Sequence, residues 1–124
     1  MRISIIIPVF NEQATIAEVL ARVLAVDLDK QVIVVDDGST DGTSELLEEW
    51  GTRQPEWVTV QRHAKNQGKG VAIRTGLAEV TGDCVIIQDG DLEYDPRDYS
   101  RLLAPLADVL RLIQIRTHAG WFHT

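Results

Sequence analysis

Four runs of apolar, often β-branched residues recur along the chain. They are ISIIIPVF (3–10), QVIVVDDGS (31–39), WVTVQRH (57–63) and CVIIQ (84–88). Continuous apolar runs of this length are typical of strands that are buried on both faces. The third run alternates polar and apolar residues, which indicates a less buried strand. The pattern therefore predicts four strands.

Apolar residues between these runs follow a helical period. After Asn11, which is placed to cap a first turn, the positions that fit the inner face of a helix are Ile16, Val19, Leu20, Val23 and Leu24. Similar patterns predict a second helix behind the STDGT turn and a third from NQGKG to about Val80. A fourth helix is predicted to begin at Pro96, behind an Asp95 cap.

The alternation of strands and helices predicts an α/β fold with an open, mostly parallel, doubly wound sheet. Such sheets bind ligands outside the carboxyl ends of their strands, where the strand order reverses. Three polar clusters, PVFNE, DDGSTD and QDGDLEY, follow predicted strands directly. We therefore expect the three clusters to meet at one edge of the sheet.

The net charge and the glycine spacing exclude several classes of ligand. Twelve Lys and Arg against nineteen Asp and Glu give a net charge of -7, which argues against a nucleic-acid partner bound through a basic surface. The GKGVAI stretch places Ile73 where a nicotinamide-binding fingerprint needs Gly or Ala, and a Walker phosphate loop is missing. An anionic ligand would therefore need a metal ion or a few well-placed cations.

The Asp89-Gly90-Asp91 stretch is the strongest metal candidate. Residues two apart in an extended segment point the same way, so both carboxylates can face one ion. Their mutual repulsion is relieved by a cation, and hard oxygen donors suit Mg²⁺ or Mn²⁺ better than zinc. The alternative is an ordinary Asp-Gly hairpin turn.

The other polar groups also have two interpretations. Asp37 lies in a stretch that suits a simple strand-to-helix turn, but an acid at a strand end can also accept hydrogen bonds from a ribose or base. Lys65, Lys69 and Arg74 fit a solvated helix start, or a set of cations and backbone amides that meets a diphosphate. The histidines, among them His63, show no ligand spacing and are predicted to be surface residues.

The cysteine count and the lengths of the apolar runs predict the cellular compartment of the protein. The single cysteine, Cys84, cannot form an internal disulfide, which favours a reducing compartment. We find no signal peptide and no apolar run near the roughly 20 residues of a membrane span. The expectation is a soluble, cytoplasmic chain without a transmembrane segment.

Four motifs in order carry a resemblance to a known family. ISIIIPVFNE, VIVVDDGSTDGT, NQGKGVAIRTGL and GDCVIIQDGDLEYDP resemble the nucleotide-sugar half of family 2 glycosyltransferases of the GT-A fold. They are most similar to the dolichyl- and polyprenyl-phosphate sugar synthases. The resemblance implies a donor-binding domain over residues 1–106 and an atypical tail over residues 107–124. Complete members continue with an acceptor half, so we expect this chain to be truncated.

The resemblance also implies roles for matching residues. The pocket for the base and ribose of the donor would be formed by Pro8, Phe10, Asn11, Glu12, Val35 and Asp37. Asp89 and Asp91 match the D-x-D metal motif, and Gly90 would lie against the nucleotide. Asp91 and Glu93 are the expected catalytic residues, with Glu93 near the metal and the sugar. Lys69 and Arg74 would lie near the donor.

The implied reaction is a metal-assisted, inverting transfer of a sugar from a donor of the GDP-mannose or UDP-glucose type. A lipid-phosphate acceptor at the cytoplasmic membrane surface is already anionic, whereas a sugar hydroxyl would need a carboxylate as base. Two alternatives remain. One is a non-catalytic fragment that binds a nucleotide sugar and metal. The other is a receiver-type phospho-signalling domain, whose acidic pair follows the first strand rather than the second.

Overall fold

The structure, a computed structural model, describes residues 2–90 and Pro96. Strands and helices alternate along this range in the order β1 (Ile3–Val9), α1 (Ile16–Ala25), β2 (Lys30–Asp36), α2 (Thr43–Arg53), β3 (Val58–Arg62), α3 (Lys69–Leu77) and β4 (Cys84–Ile87). The four predicted strands and the first three predicted helices are therefore confirmed. The helix expected after Pro96 and the tail over residues 107–124 lie outside the described residues.

The four strands form one sheet in the order β3-β2-β1-β4, and every neighbouring pair is parallel. The chain moves outward from β1 to β3, and α3 then carries it back to β4 on the other side of β1. The doubly wound fold class is confirmed. A receiver-type domain would place β1 between β2 and β3. Since β2 lies between β1 and β3 here, that alternative is wrong.

The sheet is buried on both faces because helices cover each side. Alternate residues of β1 point to opposite faces. Ile5 and Ile7 pack with Leu20 of α1 and Leu47 of α2 on one face. Ile6 packs on the other face in a smaller cluster that contains two residues of α3. This two-sided burial explains why β1 and β2 are continuous apolar runs rather than alternating ones.

Two helix boundaries differ from the prediction. Helix α1 begins at Ile16, and Asn11 does not cap it. Asn11 has a positive φ of 53°, and its side-chain oxygen instead accepts a hydrogen bond from the Thr40 amide of the next loop. Helix α3 ends at Leu77 rather than near Val80. The amides of Glu79 and Val80 donate to carbonyls three residues earlier, which is the tighter turn of a 3₁₀ helix.

Helix α3 approaches the sheet closely at Gly76. A Cβ added there would lie 2.7 Å from Cγ2 of Ile6, below any ordinary contact distance. The glycine is therefore required by the distance between the α3 backbone and β1. Among the described residues, no helix is both long enough and apolar enough to cross a membrane.

We expect Gly76→Ala to lower the free energy of unfolding by about 1–3 kcal/mol, because the new methyl group overpacks the face of Ile6. Gly70→Ala is the matched control in the same helix, since a Cβ there meets no atom within 4 Å. The control should be neutral or should stabilise the helix by about 0.5–1 kcal/mol. Urea unfolding of both variants measures this, and equal midpoints would contradict the packing argument.

Candidate functional site

One cavity among the described residues opens at the amino ends of the strands, and its lysine already has partners within the protein. The cavity measures about 680 Å³ and contains Lys30. The Lys30 amine donates to the Val26 carbonyl at 2.8 Å and lies 5.8 Å from the centre of the Trp57 ring. Burial lowers the pKa of this amine, and the nearby carboxylates of Asp27 and Asp29 oppose that shift. Lys30 therefore joins the end of α1 to the sheet, which is a structural role.

A smaller cavity lies where the strand order reverses, at the carboxyl ends of β1 and β4. It measures about 140 Å³ and is lined by Pro8, Val9, Phe10, Glu12, Asp37, Lys69, Ala72, Asp89 and Gly90. Each of the three polar clusters contributes to it, as the sequence predicted. Small-molecule sites usually measure roughly 300–1,000 Å³, so the cavity formed by the described residues is smaller than a usual ligand site.

The predicted site residues are distributed as follows. Those that line the cavity are Pro8, Phe10, Glu12, Asp37, Lys69, Asp89 and Gly90. Val35 is fully buried in the core beneath α3, and Arg74 is exposed on that helix. Asn11 lies in the loop beside the cavity without lining it. Asp91 and Glu93 lie outside the described residues, so their roles stay predictions.

The first two polar clusters are fastened together by hydrogen bonds between residues 11–13 and residues 39–43, which we call the loop clasp. The Asn11 amide donates to Ser39 Oγ at 3.0 Å, and the Glu12 amide donates to Thr43 Oγ1 at 3.0 Å. Gln13 Oε1 accepts from the amide of Gly42, the residue before α2, at 3.0 Å. The loop clasp therefore fixes the backbone on both sides of Asn11, which carries the cavity residues Phe10 and Glu12.

Asp37 connects the second cluster to the loop before α3. Its side chain is 5% exposed, and it accepts hydrogen bonds from the Gln67 amide at 2.9 Å and the Gly68 amide at 2.8 Å. The sequence suggested that amides of this loop meet a diphosphate. These two amides instead bind Asp37. The loops pack closely here: a Cβ on Gly38, whose φ is 75°, would lie 2.5 Å from the Asn66 nitrogen.

His63 is a site residue that the sequence interpretation missed. It was expected at the surface, but its side chain is 10% exposed and its Nδ1 lies 2.8 Å from Asp37 Oδ1. The expectation was wrong because the histidines were compared only with one another. Position was the useful signal, since His63 directly follows β3, as Asp37 and Asp89 lie just beyond the ends of β2 and β4.

The end of β4 places a carboxylate at the reversal point. Asp89 is 6% exposed, and the carbonyl of Gly90 accepts from Thr15 Oγ1 at 2.8 Å, which ties this segment to the start of α1. Asp89 shares the cavity wall with Glu12 and Asp37, against one cation, Lys69. Excess negative charge around a small cavity favours a bound cation.

The donor chemistry of this wall fits a divalent ion. Its carboxylates supply hard oxygens, as Mg²⁺ and Mn²⁺ prefer. Within residues 2–90 and Pro96, no group of three or more His, Cys, Asp or Glu side chains is arranged to hold a metal. Of the predicted pair of metal ligands, Asp89 lies among the described residues and Asp91 lies beyond them, so the metal site stays a prediction.

Comparisons with known sequences identify proteins that are similar to this chain. Residues 4–118 match the model of Glycosyl transferase family 2. An undecaprenyl-phosphate 4-deoxy-4-formamido-L-arabinose transferase of Edwardsiella ictaluri is 35% identical over 97% of this chain. The enzyme of the same description from Sodalis glossinidius is 31% identical over 98% of this chain. The chain spans 39% of the length of each of these curated relatives.

Solved structures show the same backbone arrangement. The mannosyltransferase PcManGT from Pyrobaculum calidifontis, in complex with GDP-Man and Mn²⁺, is 32% identical and superimposes with a TM-score of 0.76. The match covers 86% of this chain and 32% of that one. S. aureus TarS 1-349, in complex with UDP-GlcNAc, is 27% identical with a TM-score of 0.70, over 85% of this chain and 32% of that one. The matched part of this chain therefore corresponds to about one third of each longer chain.

Asp41 gives the loop clasp a testable pH dependence. Its Oδ2 accepts from the Gln13 amide at 3.4 Å, across the loop clasp. Its Oδ1 accepts from the Thr43 hydroxyl at 2.5 Å and from the Thr43 amide at 2.8 Å. The hydroxyl contact is the largest cause of a lowered pKa for this carboxyl group. A lowered pKa in the folded state means that Asp41 stabilises the fold above its ordinary pKa, and that this contribution is lost as the pH falls through the lowered value.

We therefore expect Asp41→Ala to lower the Tm at pH 7, with the difference from the wild type disappearing in strong acid. Glu56→Ala is the control, because it removes an exposed carboxylate in the turn before β3. Thermal unfolding followed by circular dichroism at a series of pH values measures both. A difference for Asp41→Ala that stays constant down to strong acid would show that the carboxylate charge does not hold the loop clasp.

Proposed function

Because the chain belongs to glycosyl transferase family 2, we propose that it binds a nucleoside diphosphate sugar and transfers the sugar to a polyprenyl phosphate. One observation carries the proposal: residues from three separate strand ends form one cavity at the reversal of strand order. This is the position at which open α/β sheets bind nucleotides. The matched relatives support a sugar transfer to a lipid phosphate, as their names describe that reaction.

The nucleoside part of the donor is assigned to the wall between β1 and β2. Phe10 is 43% exposed and lines the cavity, so its ring offers a face for a base. Asp37 supplies a buried acceptor for a donor group of the base or ribose, and Pro8 completes this wall. The bound GDP-Man and UDP-GlcNAc of the two solved structures support a nucleoside diphosphate sugar as the donor class.

The diphosphate is assigned to the side of the cavity formed by α3 and the end of β4. Lys69, the first residue of α3, lines the cavity, and both its charge and the amino end of the helix favour an anion. Arg74 lies farther along the exposed side of α3, and its contact with the donor rests on the sequence motif alone.

Asp89 and Asp91 would hold a divalent ion, Mg²⁺ or Mn²⁺. When bound, this ion would offset the negative charge that develops on the departing diphosphate. The Mn²⁺ in the structure of PcManGT supports a divalent metal. Glu93 is proposed to lie beside the donor sugar, from its place in the motif. The chain's contribution is to fix Asp89 at the end of β4, where the segment is tied to Thr15.

A lipid-phosphate acceptor suits the described groups. A phosphate oxygen is already anionic at neutral pH and can attack the anomeric carbon without a general base. The carboxylates at the cavity can then serve the donor and the metal alone. A sugar hydroxyl would instead require one of them to remove a proton. We place this reaction at the cytoplasmic membrane surface.

Calorimetry of the 124-residue chain with UDP-glucose and GDP-mannose tests the donor and the metal together. We expect one of the two to bind, and only when Mn²⁺ is present. Asp91→Ala should abolish this binding and leave the circular dichroism spectrum unchanged. Asp95→Ala is the matched control, because it removes the same charge four residues away and should bind normally.

Metal-independent binding by a folded protein would contradict the assignment of Asp89 and Asp91. If neither donor binds with Mn²⁺, the donor-binding proposal fails.

Transfer is tested with the donor that binds, carrying a radiolabelled sugar, and undecaprenyl phosphate in detergent. We expect the label to move into the lipid fraction and to depend on Mn²⁺. Asp95→Ala should retain transfer, whereas Asp91→Ala should lose it. Donor binding without a labelled lipid would favour the non-catalytic alternative, in which the chain only holds the nucleotide sugar.

A further inference from the structure

His63 lies at the junction of three elements around the cavity. It directly follows β3, and its amide donates to the Asp36 carbonyl at 2.9 Å. Its Nδ1 lies 2.8 Å from Oδ1 of Asp37, and its Nε2 lies 2.8 Å from Oγ1 of Thr75, a residue of α3. One ring therefore connects the end of β2 to the helix that begins with Lys69.

The chemistry of the partners assigns the direction of both hydrogen bonds. An ionised carboxylate only accepts, so Nδ1 carries a hydrogen and donates to Asp37. In the neutral imidazole, Nε2 is then an acceptor, and the Thr75 hydroxyl donates to it. The result is a directed chain from Thr75 through His63 to Asp37.

These hydrogen bonds determine how many acceptor positions of the Asp37 carboxylate remain for a ligand. Oδ1 accepts from His63 and from the Gln67 amide, and Oδ2 accepts from the Gly68 amide. Each carboxylate oxygen has two lone pairs. Counting only contacts between described residues, one acceptor position therefore remains, and it is on Oδ2. Without His63, Oδ1 would keep only the Gln67 amide as a donor, and each carboxylate oxygen would have one acceptor position left.

We propose that His63 is a positioning residue of the donor site: it holds Asp37 so that one oxygen is saturated by the protein and the other accepts from the nucleotide. This inference rests on the donor-binding function proposed above and goes beyond it, because His63 does not line the cavity. The contact with Thr75 adds a second effect, since the same helix supplies Lys69 and Ala72 to the cavity wall.

Three variants separate positioning from packing. His63→Asn keeps an N–H group near the position of Nδ1 and loses the contact with Thr75. His63→Leu fills a comparable space and provides no donor. Thr75→Val keeps the shape of the helix residue and removes only the outer hydrogen bond. All three are made in the 124-residue chain, and their affinities for UDP and for GDP, each with Mn²⁺, are measured by calorimetry.

We expect His63→Leu to raise the Kd of whichever nucleotide the wild type binds by about tenfold, the size expected for one hydrogen bond to a charged group. His63→Asn and Thr75→Val should stay within about threefold of the wild type, because each retains the donor to Asp37. A packing role predicts the opposite order, since leucine is the better apolar replacement in a nearly buried position. An affinity for His63→Leu equal to or better than that of His63→Asn would overturn the proposal.

The wild-type protein gives a second readout that needs no variant. Long-range proton–nitrogen NMR spectra report the protonated nitrogen of each histidine. We expect His63 to carry its hydrogen on Nδ1, and its Nδ1 signal to shift on saturation with nucleotide, because Asp37 then accepts an additional donor. A hydrogen on Nε2 with none on Nδ1, or a signal unchanged at saturation, would overturn the positioning role.

The two proposals fail in different ways. If the wild-type chain binds neither UDP nor GDP with Mn²⁺, the donor-binding function fails, and the role of His63 fails with it. If the wild type binds and the variants keep its affinity, only the role of His63 fails.

Discussion

The donor side of this molecule depends on the hydrogen bonds that the Asp37 carboxylate accepts. This carboxylate is nearly buried, and it receives hydrogen bonds from two backbone amides and one imidazole that come from another part of the chain. A buried charge without such partners would be strongly destabilising. The same contacts that satisfy the charge therefore bring β2, the loop after β3 and the start of α3 into one fixed arrangement, which becomes one wall of the cavity.

The other charged residues that line the cavity carry both signs of charge. Glu12 and Asp89 bring negative charge to the reversal of strand order, and Lys69 brings a single positive charge. The chain as a whole is also acidic, with a net charge of -7. An anionic donor would meet unfavourable potential on such a surface unless a cation accompanied it. A proposed divalent ion and a diphosphate therefore suit the site together, since each compensates the charge that would exclude the other.

Much of the fold was predictable because it follows from local periodicity. Buried strands such as β1 are continuous apolar runs, and α1 shows its inner face at helical spacing, so both could be identified from neighbouring residues. The boundaries were less predictable. Asn11 is a good capping residue, but its oxygen binds an amide 29 positions away, and nothing in its local sequence distinguishes the two partners. The roles of Asp91 and Glu93 rest on their motif.

The sequence by itself determined which elements form and that three polar clusters end up at the carboxyl ends of parallel strands, because apolar pattern and strand direction are properties of consecutive residues. The tertiary structure alone decided which polar groups form hydrogen bonds within the protein and which residues line the cavity. His63 lies 26 positions from Asp37 and 12 from Thr75, yet bonds to both. Val35, two residues before Asp37, is instead fully buried in the core. Such differences depend on strand order and helix approach, which bring distant residues within hydrogen-bonding distance.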